Sequence, residues 1–294
     1  GAFSGTQGVP RRKVEPMRSR IGTPAHLCLQ VAIFLCATLP TISNAEIRLR
    51  DAAQAWGVAD DGLASGGAFG DFDADGRPDL IVTRMARGEQ VLLYRNIGRQ
   101  FVDASDRWTP PENSMGSLFA DVDDDGDDDL YIIVHRAPNQ IHLNEGGRFV
   151  STPAPEFRES QNATGAILAD FDEDGVGDAY ITHRFDYGNQ LISDFGGSSL
   201  RDLSLLVSPL RSGQESFGAT PIDIDGDGRL EIFVTSWGFV NLLHRNLGAG
   251  RFATIQGGAG TASRAASILG LPADYDNDGD TDLYVLNGHE SPNE

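Results

Sequence analysis

The chain has 294 residues and a formal net charge of −20, with 43 acidic against 23 basic side chains. So large an acidic excess repels phosphate backbones and anionic lipid headgroups, which excludes nucleic acid and anionic membrane surfaces as partners. The 35 glycines, together with the lack of any helix-period segment, favour an all-β fold with many tight turns.

The first predicted element is a targeting segment at residues 17–45. Met17 is followed by two arginines, a mostly apolar run over residues 27–39, and small residues before Glu46. This order is that of a secretory signal peptide, and the apolar run is shorter than the roughly 20 residues of a membrane span. We therefore expect an exported protein, with flanking sequence at residues 1–16 and a mature chain that does not insert into a membrane.

An acidic signature then recurs five times within residues 46–294, at intervals of 49 to 53 residues. Each copy follows a small or apolar stretch and leads into a β-branched or aromatic run, such as residues 130–134, which is typical of a buried strand. An Asn-x-Gly step further along marks a hairpin between two more strands. Four strands in a unit of this length predict a β-propeller built from four-stranded blades.

The two ends of the mature chain carry further expectations. Residues 49–52 align with residues 101–104 and predict an outer strand that lacks its own blade. The fifth repeat stops at Glu294, just after its second predicted strand. We therefore expect residues 46–294 to be a propeller that is truncated at its C-terminus.

Each signature forms a nine-residue acidic loop, numbered here as loops 1 to 5 in chain order. Carboxylates stand at positions one, three, five and nine, and a glycine stands at position six. These carboxylates belong to Asp71, Asp73, Asp75 and Asp79 in loop 1, Asp121, Asp123, Asp125 and Asp129 in loop 2, Asp170, Asp172, Asp174 and Asp178 in loop 3, Asp223, Asp225, Asp227 and Glu231 in loop 4, and Asp274, Asp276, Asp278 and Asp282 in loop 5.

Carboxylates this close together repel one another unless a hard cation lies among them, and Ca²⁺ accepts six to eight oxygen ligands with loose geometry. Position seven varies in chemistry, so we expect it to contribute its backbone carbonyl. The sequence therefore predicts about one Ca²⁺ per repeat. The residues at position seven are Arg77, Asp127, Val176, Arg229 and Asp280.

An EF-hand and a simple solvated turn are two other interpretations of these loops. An EF-hand needs a bidentate glutamate at position twelve, whereas this chain has Val82 and Ile132 there, inside strand-like runs. Simple solvated turns would explain one acidic loop, but five in register argue against them. The sequence leaves open whether the ion is purely structural or also serves binding.

Residues 70–80, Gly-Asp-Phe-Asp-Ala-Asp-Gly-Arg-Pro-Asp-Leu, resemble an FG-GAP (VCBS-type) repeat, as found in integrin α-subunit propellers and many bacterial secreted proteins. Residues 273–280 together with residues 287–289 are similar to the bacterial ASPIC/UnbV-type branch. The resemblance implies a propeller of seven or eight blades, with Ca²⁺ loops on one face and partner-binding loops often on the other.

The segments after the second strand of each repeat are expected to lie opposite the calcium loops, and they share arginine, histidine and aromatic residues. Against an acidic background, such a patch is a candidate site for a carbohydrate or an acidic peptide. Alternatively, these side chains pack the mouth of the channel, or His135, His183 and His289 gather around a metal ion. The candidate ligand-binding residues are Arg84, His135, Arg136, His183, Arg184, Trp237 and His289.

These features predict a secreted or surface-exposed adhesion or recognition scaffold, with an extracellular protein or carbohydrate as its ligand. No acid, base or nucleophile motif accompanies the repeats, so we expect the chain not to be an enzyme. The rival hypothesis is a propeller that forms part of a secreted enzyme, either a polysaccharide lyase or the scaffold for a catalytic domain beyond residue 294.

Overall fold

The computed structural model describes most of residues 46–294, the predicted propeller. The residues described are 50–60, 62–86, 88–152, 162–184, 188–195, 201–207, 215–257 and 266–288. The predicted flanking sequence, the signal peptide and His289 lie outside them. Within these ranges, none of the helices has the length and apolar character needed to cross a bilayer.

The described residues form five antiparallel sheets, and strands that are consecutive in the chain are neighbours in each sheet. Sheet 1 contains β1 (Ala64–Gly70), β2 (Asp79–Arg84), β3 (Leu92–Asn96) and β4 (Phe101–Asp103). Sheet 2 contains β5 (Ser114–Ala120), β6 (Asp129–Val134), β7 (Gln140–Asn144) and β8 (Phe149–Thr152).

The remaining three sheets continue the same pattern. Sheet 3 contains β9 (Ala163–Ala169), β10 (Asp178–His183), β11 (Gln190–Ser193) and β12 (Arg201–Asp202). Sheet 4 contains β13 (Ser216–Ile222), β14 (Glu231–Ser236), β15 (Leu242–Asn246) and β16 (Phe252–Gln256). Sheet 5 contains β17 (Ser267–Ala273) and β18 (Asp282–Asn287).

Short helical turns precede sheet 1 and follow the fourth strands of sheets 1 and 3: α1 (Ala53–Trp56), a 3-10 turn (Ser105–Arg107) and α2 (Ser204–Val207). The residue two positions before each turn begins is an aspartate that accepts a hydrogen bond from the first N–H of the turn, at 2.9–3.0 Å. Residues 50–52 form no strand in the described part of the chain, so the predicted outer strand is not observed there.

Successive sheets pack side by side through their first strands. β1 contacts β5, β5 contacts β9, β9 contacts β13, and β13 contacts β17. Hydroxyl groups join these strands: Ser65 Oγ donates to the carbonyl of Ser114 at 2.6 Å, and Thr164 Oγ1 donates to the carbonyl of Ser216 at 2.8 Å. First strands side by side about a common axis are the arrangement of propeller blades, which confirms the predicted all-β propeller of four-stranded blades.

The hydrophobic cores lie between neighbouring sheets, because the second strands of sheets 2, 3 and 4 are buried on both faces. All six residues of β6 are buried. Side chains alternate across a strand, so Leu130 and Ile132 pack towards sheet 1 while Tyr131 and Ile133 pack towards sheet 3. The same alternation recurs in β10 and β14. Each core therefore depends on two sheets, and a single repeat could not bury its own apolar residues.

The register of the first two strands separates two edges of every sheet. In sheet 1, Gly70 pairs with Asp79 beside loop 1, whereas Ala64 pairs with Arg84 at the far end of the same hairpin. The other sheets repeat this register. We call the edge that carries loops 1 to 5 the acidic edge. The edge formed by the segments after the second strands is called the opposite edge.

Candidate functional site

The acidic edge brings the carboxylates of positions one, three and nine together in every repeat. In each loop, one oxygen from each of these three side chains lies within 4.8 Å of the other two. Three of the predicted metal ligands, at positions one, three and nine, therefore share one small volume in all five loops. The clusters are Asp71, Asp73 and Asp79; Asp121, Asp123 and Asp129; Asp170, Asp172 and Asp178; Asp223, Asp225 and Glu231; and Asp274, Asp276 and Asp282.

Backbone N–H groups fold each loop around its first carboxylate. In loop 1, the Asp71 carboxylate accepts hydrogen bonds from the N–H of Asp75 at 3.0 Å and of Gly76 at 2.7 Å. Gly76 has a φ of 82°, as predicted for position six. Position four is also left-handed, at 54° for Ala74, which the sequence analysis missed. Gly226 of loop 4 and Asn277 of loop 5, whose residue types favour a positive φ, were the sequence signals for this conformation.

The carboxylate at position nine is the most deeply placed ligand. Asp79 is fully buried and accepts hydrogen bonds from the N–H of Phe72 at 3.2 Å and of Asn96 at 2.7 Å. Burial raises the pKa of Asp79 to about 6, and burial likewise raises the pKa of Asp129 to about 6. A carboxylate withdrawn from water in this way gains from a nearby cation.

Position five behaves differently from the other predicted ligands. Asp75 Oδ1 accepts a hydrogen bond from the N–H of Arg77 at 3.1 Å, and the equivalent bond recurs in the other four loops. None of the position-five carboxylates belongs to the three-oxygen clusters of the described residues. Ligation by position five, and by the carbonyl of position seven, stays a prediction.

The residues present fit a hard divalent cation. Their donor atoms are all oxygens, which is the set that Ca²⁺ prefers. Two of these oxygens, Asp73 Oδ1 and Asp172 Oδ1, are buried and have no hydrogen-bond partner. The Asp172 side chain is only 8% exposed. An unpartnered buried carboxylate oxygen costs free energy, and an ion bound among the cluster would satisfy it.

Arginines from neighbouring strands contact the third position of three loops, and the sequence analysis missed them. Arg95 pairs with Asp73 and, at 3.1 Å, with Asp75. Arg201 pairs with Asp172 at 3.0 Å, and Arg245 pairs with Asp225 at 2.7 Å. The Arg-Asn step at residues 95–96 and 245–246 was a signal for two of them, whereas Arg201 had none.

The arginine charges make the electrostatic environment of loop 1 different from that of loop 2. Partial burial raises the pKa of Asp75, but the guanidinium groups of Arg95 and Arg77 outweigh it and hold that pKa below its usual value. In loop 2, burial raises the pKa of Asp123, and the neighbouring carboxylates of Asp125 and Asp121 raise it further. Among the residues that the structure describes, arginines thus partly neutralise loop 1 but not loop 2.

Asparagines of two predicted Asn-x-Gly turns each bridge two neighbouring acidic loops. Asn144 Nδ2 donates to the carbonyl of Phe72 in loop 1 at 2.8 Å and to that of Asp128 in loop 2 at 3.1 Å. Asn246 makes the same pair of bonds to Phe171 and Leu230. Loop 1 is therefore joined to loop 2, and loop 3 to loop 4.

The opposite edge gathers several of the predicted ligand-binding residues, although with separate partners. Arg84 pairs with Asp60. Arg184 pairs with Glu215 at 2.9 Å, and its guanidinium lies 4.9 Å from the ring centroid of Phe217. The Phe217 and Trp237 ring centroids are 5.2 Å apart with an interplanar angle of 32°. Arg184, Phe217 and Trp237 thus form one continuous stack across sheets 3 and 4.

The histidines do not form a metal centre in the described part of the chain. His183 is buried, neither ring nitrogen has a hydrogen-bond partner, and burial lowers its pKa to about 4. His135 is half-buried, and burial, followed by Arg136 and Arg184, lowers its pKa. No described histidine joins a cluster of potential metal ligands. Arg136 is exposed with a φ of 58°, and His289 lies outside the described residues.

A family model described as "FG-GAP-like repeat" matches residues 71–132, 121–181 and 216–285. Comparison with curated proteins finds no match. The narrower similarity to the ASPIC/UnbV-type branch stays a prediction.

Three solved structures are similar to parts of this chain. A lectin from Agrocybe aegerita that recognises non-reducing terminal N-acetylglucosamine is 20% identical, with a TM-score of 0.47 over 73% of this chain and 58% of the lectin. The V. cholerae biofilm matrix protein Bap1 is 18% identical, with a TM-score of 0.44 over 74% of this chain and 34% of Bap1. Saccharomyces cerevisiae Sqt1 is 15% identical, with a TM-score of 0.46 over 73% and 54%. The chain thus spans between 34% and 58% of the length of these structures.

Proposed function

The chain belongs to the FG-GAP-like repeat family, and from this premise we propose that it is an exported, calcium-binding β-propeller that recognises an extracellular protein or carbohydrate. One observation carries the proposal: five carboxylate clusters recur in register on one edge, and two of them contain buried oxygens without a hydrogen-bond partner. Ca²⁺ is the common cation whose coordination number and loose geometry suit such a set.

In this proposal, Ca²⁺ rigidifies the connection between the first and second strand of each sheet. The carboxylates at positions one, three and nine hold the ion, and the position-nine carboxylate also accepts N–H groups from its own loop and from the third strand. The ion would therefore stabilise three strands at once. Extracellular calcium modules bind in the range of about 10⁻⁴ to 10⁻³ M, which fits a protein exported by the predicted signal peptide.

We place recognition at the opposite edge. The stack of Arg184, Phe217 and Trp237 offers flat apolar and cationic surfaces of the kind that pack against sugar rings or acidic peptides. The acidic carboxylates accept loop N–H donors, an arrangement that suits ion binding better than proton transfer. We therefore propose that the chain acts by binding rather than by catalysis.

Calcium binding is tested by isothermal titration calorimetry on the purified full chain, with thermal melting in Ca²⁺ and in EDTA. We expect uptake of several ions per chain and a higher melting temperature in Ca²⁺, because the ion binds only the folded loops. Absence of both binding heat and a thermal shift would rule out the calcium proposal.

Recognition is tested on glycan and peptide arrays, with and without EDTA. Replacing Arg136, Arg184 or Trp237 by alanine is expected to weaken partner capture at least about tenfold, while the calcium-dependent rise in melting temperature stays the same. Arg148→Ala, an exposed arginine in the turn between β7 and β8, is the matched control. Unchanged capture by all three variants would remove the opposite edge as the binding site.

A further inference from the structure

We infer that arginines act as built-in counter-ions on the acidic edge and grade its cation sites, so that loop 2 binds Ca²⁺ most tightly and loop 1 most weakly among loops 1 to 4. The inference rests on the proposed calcium binding and adds the order in which the loops fill. It follows from which side chains of the third and fourth strands contact each loop.

Loop 1 carries its own positive charge. The Arg95 guanidinium contacts Asp73 Oδ2 and lies 3.1 Å from Asp75 Oδ2, which Arg77 also contacts. Asp73 is 12% exposed beneath this arginine, so water screens the pair only weakly. The other oxygen, Asp73 Oδ1, is buried without a partner. An ion and the arginine would therefore share one carboxylate.

Loop 2 is the opposite case. Seven of its nine residues are aspartates, including Asp127 at position seven, where loop 1 has Arg77. The strand position of Arg95 is taken by Leu143, directly before Asn144. Within the described ranges, no arginine forms an ion pair with any carboxylate of loop 2. Its carboxylates therefore face a cation without an internal competitor.

Loops 3 and 4 are intermediate for two different reasons. Arg201 pairs with Asp172 but also lies 3.4 Å from Asp194. The Asp194 carboxylate therefore offsets part of the positive charge that Arg201 brings to loop 3. In loop 4, Arg229 contacts Asp227 in the same way as Arg77 contacts Asp75 in loop 1. Arg245, however, is 51% exposed and its partner Asp225 is 29% exposed, so solvent weakens the effect of Arg245 on a bound ion.

The expected difference in Ca²⁺ affinity between the loops follows from the net charge of their ligands. Ligand charge count tunes the Ca²⁺ affinity of oxygen sites over several orders of magnitude. A guanidinium that contacts a ligating carboxylate removes about one unit of that charge and repels the ion across a few ångströms. We expect each such arginine to weaken its site about tenfold.

The order among loops 1 to 4 is read from the calorimetry of the calcium-depleted full chain by removing one ligand at a time. Every variant also carries Asp276→Asn, so that the cluster of loop 5 does not contribute to the comparison. Asp123→Asn is expected to abolish the tightest binding event, whereas Asp73→Asn leaves that event in place and removes a weak one. Circular dichroism confirms that both variants are folded. If Asp73→Asn removes the tightest event, the order is wrong.

A reciprocal exchange tests the arginine itself. Leu143→Arg is expected to weaken the tightest event about tenfold, and Arg95→Leu to strengthen the weakest event about tenfold. Arg95→Gln gives a second variant if the leucine variant misfolds, and Arg148→Ala is the control. Equal affinities that neither exchange alters would overturn the grading while leaving calcium binding intact. No calcium uptake at all would overturn the proposed function as well.

Discussion

The two edges of the sheets are built on different principles. On the acidic edge, the same hydrogen bonds recur in every repeat: position one accepts the N–H groups of positions five and six, and position nine accepts that of position two. On the opposite edge, each repeat uses its own contacts, such as Arg84 with Asp60 and Arg184 with Glu215. Hydrogen bonds within one loop recur wherever the motif occurs, because the motif supplies both donor and acceptor. Contacts with residues of other segments differ from repeat to repeat, because those residues differ.

This difference assigns the two edges separate roles. An edge that is identical in every repeat suits a repeated structural ion. An edge that varies from repeat to repeat suits a single, specific partner, because variation supplies the distinct side chains that recognition needs. Three experiments would break or sharpen this contrast.

The largest effect is expected at the buried ligand of loop 2. Asp129→Ala leaves the N–H groups of Val122 and Asn144 without the acceptor that now lies 2.7 Å from each. Since each unsatisfied buried donor is costly, we expect the free energy of unfolding to fall by about 3 kcal/mol, even in EDTA. Urea denaturation measures this change.

Asp106→Ala, an exposed carboxylate in the 3-10 turn, serves as the control for the loss of one negative charge. A loss below about 1 kcal/mol for Asp129→Ala would show that the carboxylate holds the ion alone and does not organise the loop in the absence of metal.

The second effect is a pH dependence of the folding stability, which arises in the core between the two edges. His244 is fully buried between sheets 3 and 4, where Nε2 lies 2.9 Å from the Tyr180 hydroxyl and Nδ1 lies 2.9 Å from Thr254 Oγ1. Burial lowers the pKa of His244 to about 4 from its ordinary 6.5. The folded state therefore resists protonation, and stability falls as the pH drops from about 6.5 towards 4.

We expect this histidine to contribute a loss of about 2 kcal/mol between pH 7 and pH 5. The measurement is the difference in urea denaturation between the unmodified chain and His244→Gln at both pH values. Taking that difference cancels the opposite slope of carboxylates such as Asp79, whose raised pKa favours the folded state at low pH. An equal pH slope in the two proteins would contradict the assignment.

The smallest effect is the change in stability when a residue with a left-handed backbone conformation is replaced by glycine, compared between one residue of each edge. Arg136 on the opposite edge has a φ of 58°, and Asp124 in loop 2 has a φ of 62°. Arg136→Gly relieves more strain than Asp124→Gly, because aspartate tolerates this conformation better than arginine does. We expect a gain of about 0.5 kcal/mol for Arg136→Gly and almost none for Asp124→Gly, measured by thermal melting.

If Arg136→Gly instead destabilises the protein, the Arg136 side chain contributes to folding. The strained backbone at Arg136 would then not be explained by a role in binding. Weaker partner capture combined with higher stability would support recognition at the opposite edge.

The acidic edge was largely predictable, since its information is local. Position six is glycine in every loop and adopts a positive φ, and positions one, three and nine converge as the spacing implied. The predicted strand at residues 49–52 is not observed in its described part, residues 50–52. There the sequence similarity to residues 101–104 reflects a shared aspartate that caps a helical turn, seen at Asp51 and Asp103.

The sequence by itself determined the repeat, the four-stranded sheets and the carboxylate clusters, because each depends on spacing within one repeat of 49 to 53 residues. Only the tertiary structure decided which carboxylate each strand arginine contacts, and that Asn144 reaches the carbonyl of Phe72, 72 residues away along the chain. These contacts depend on how neighbouring strands and sheets are placed beside one another. No pattern along one strand encodes which distant backbone group its side chains will meet.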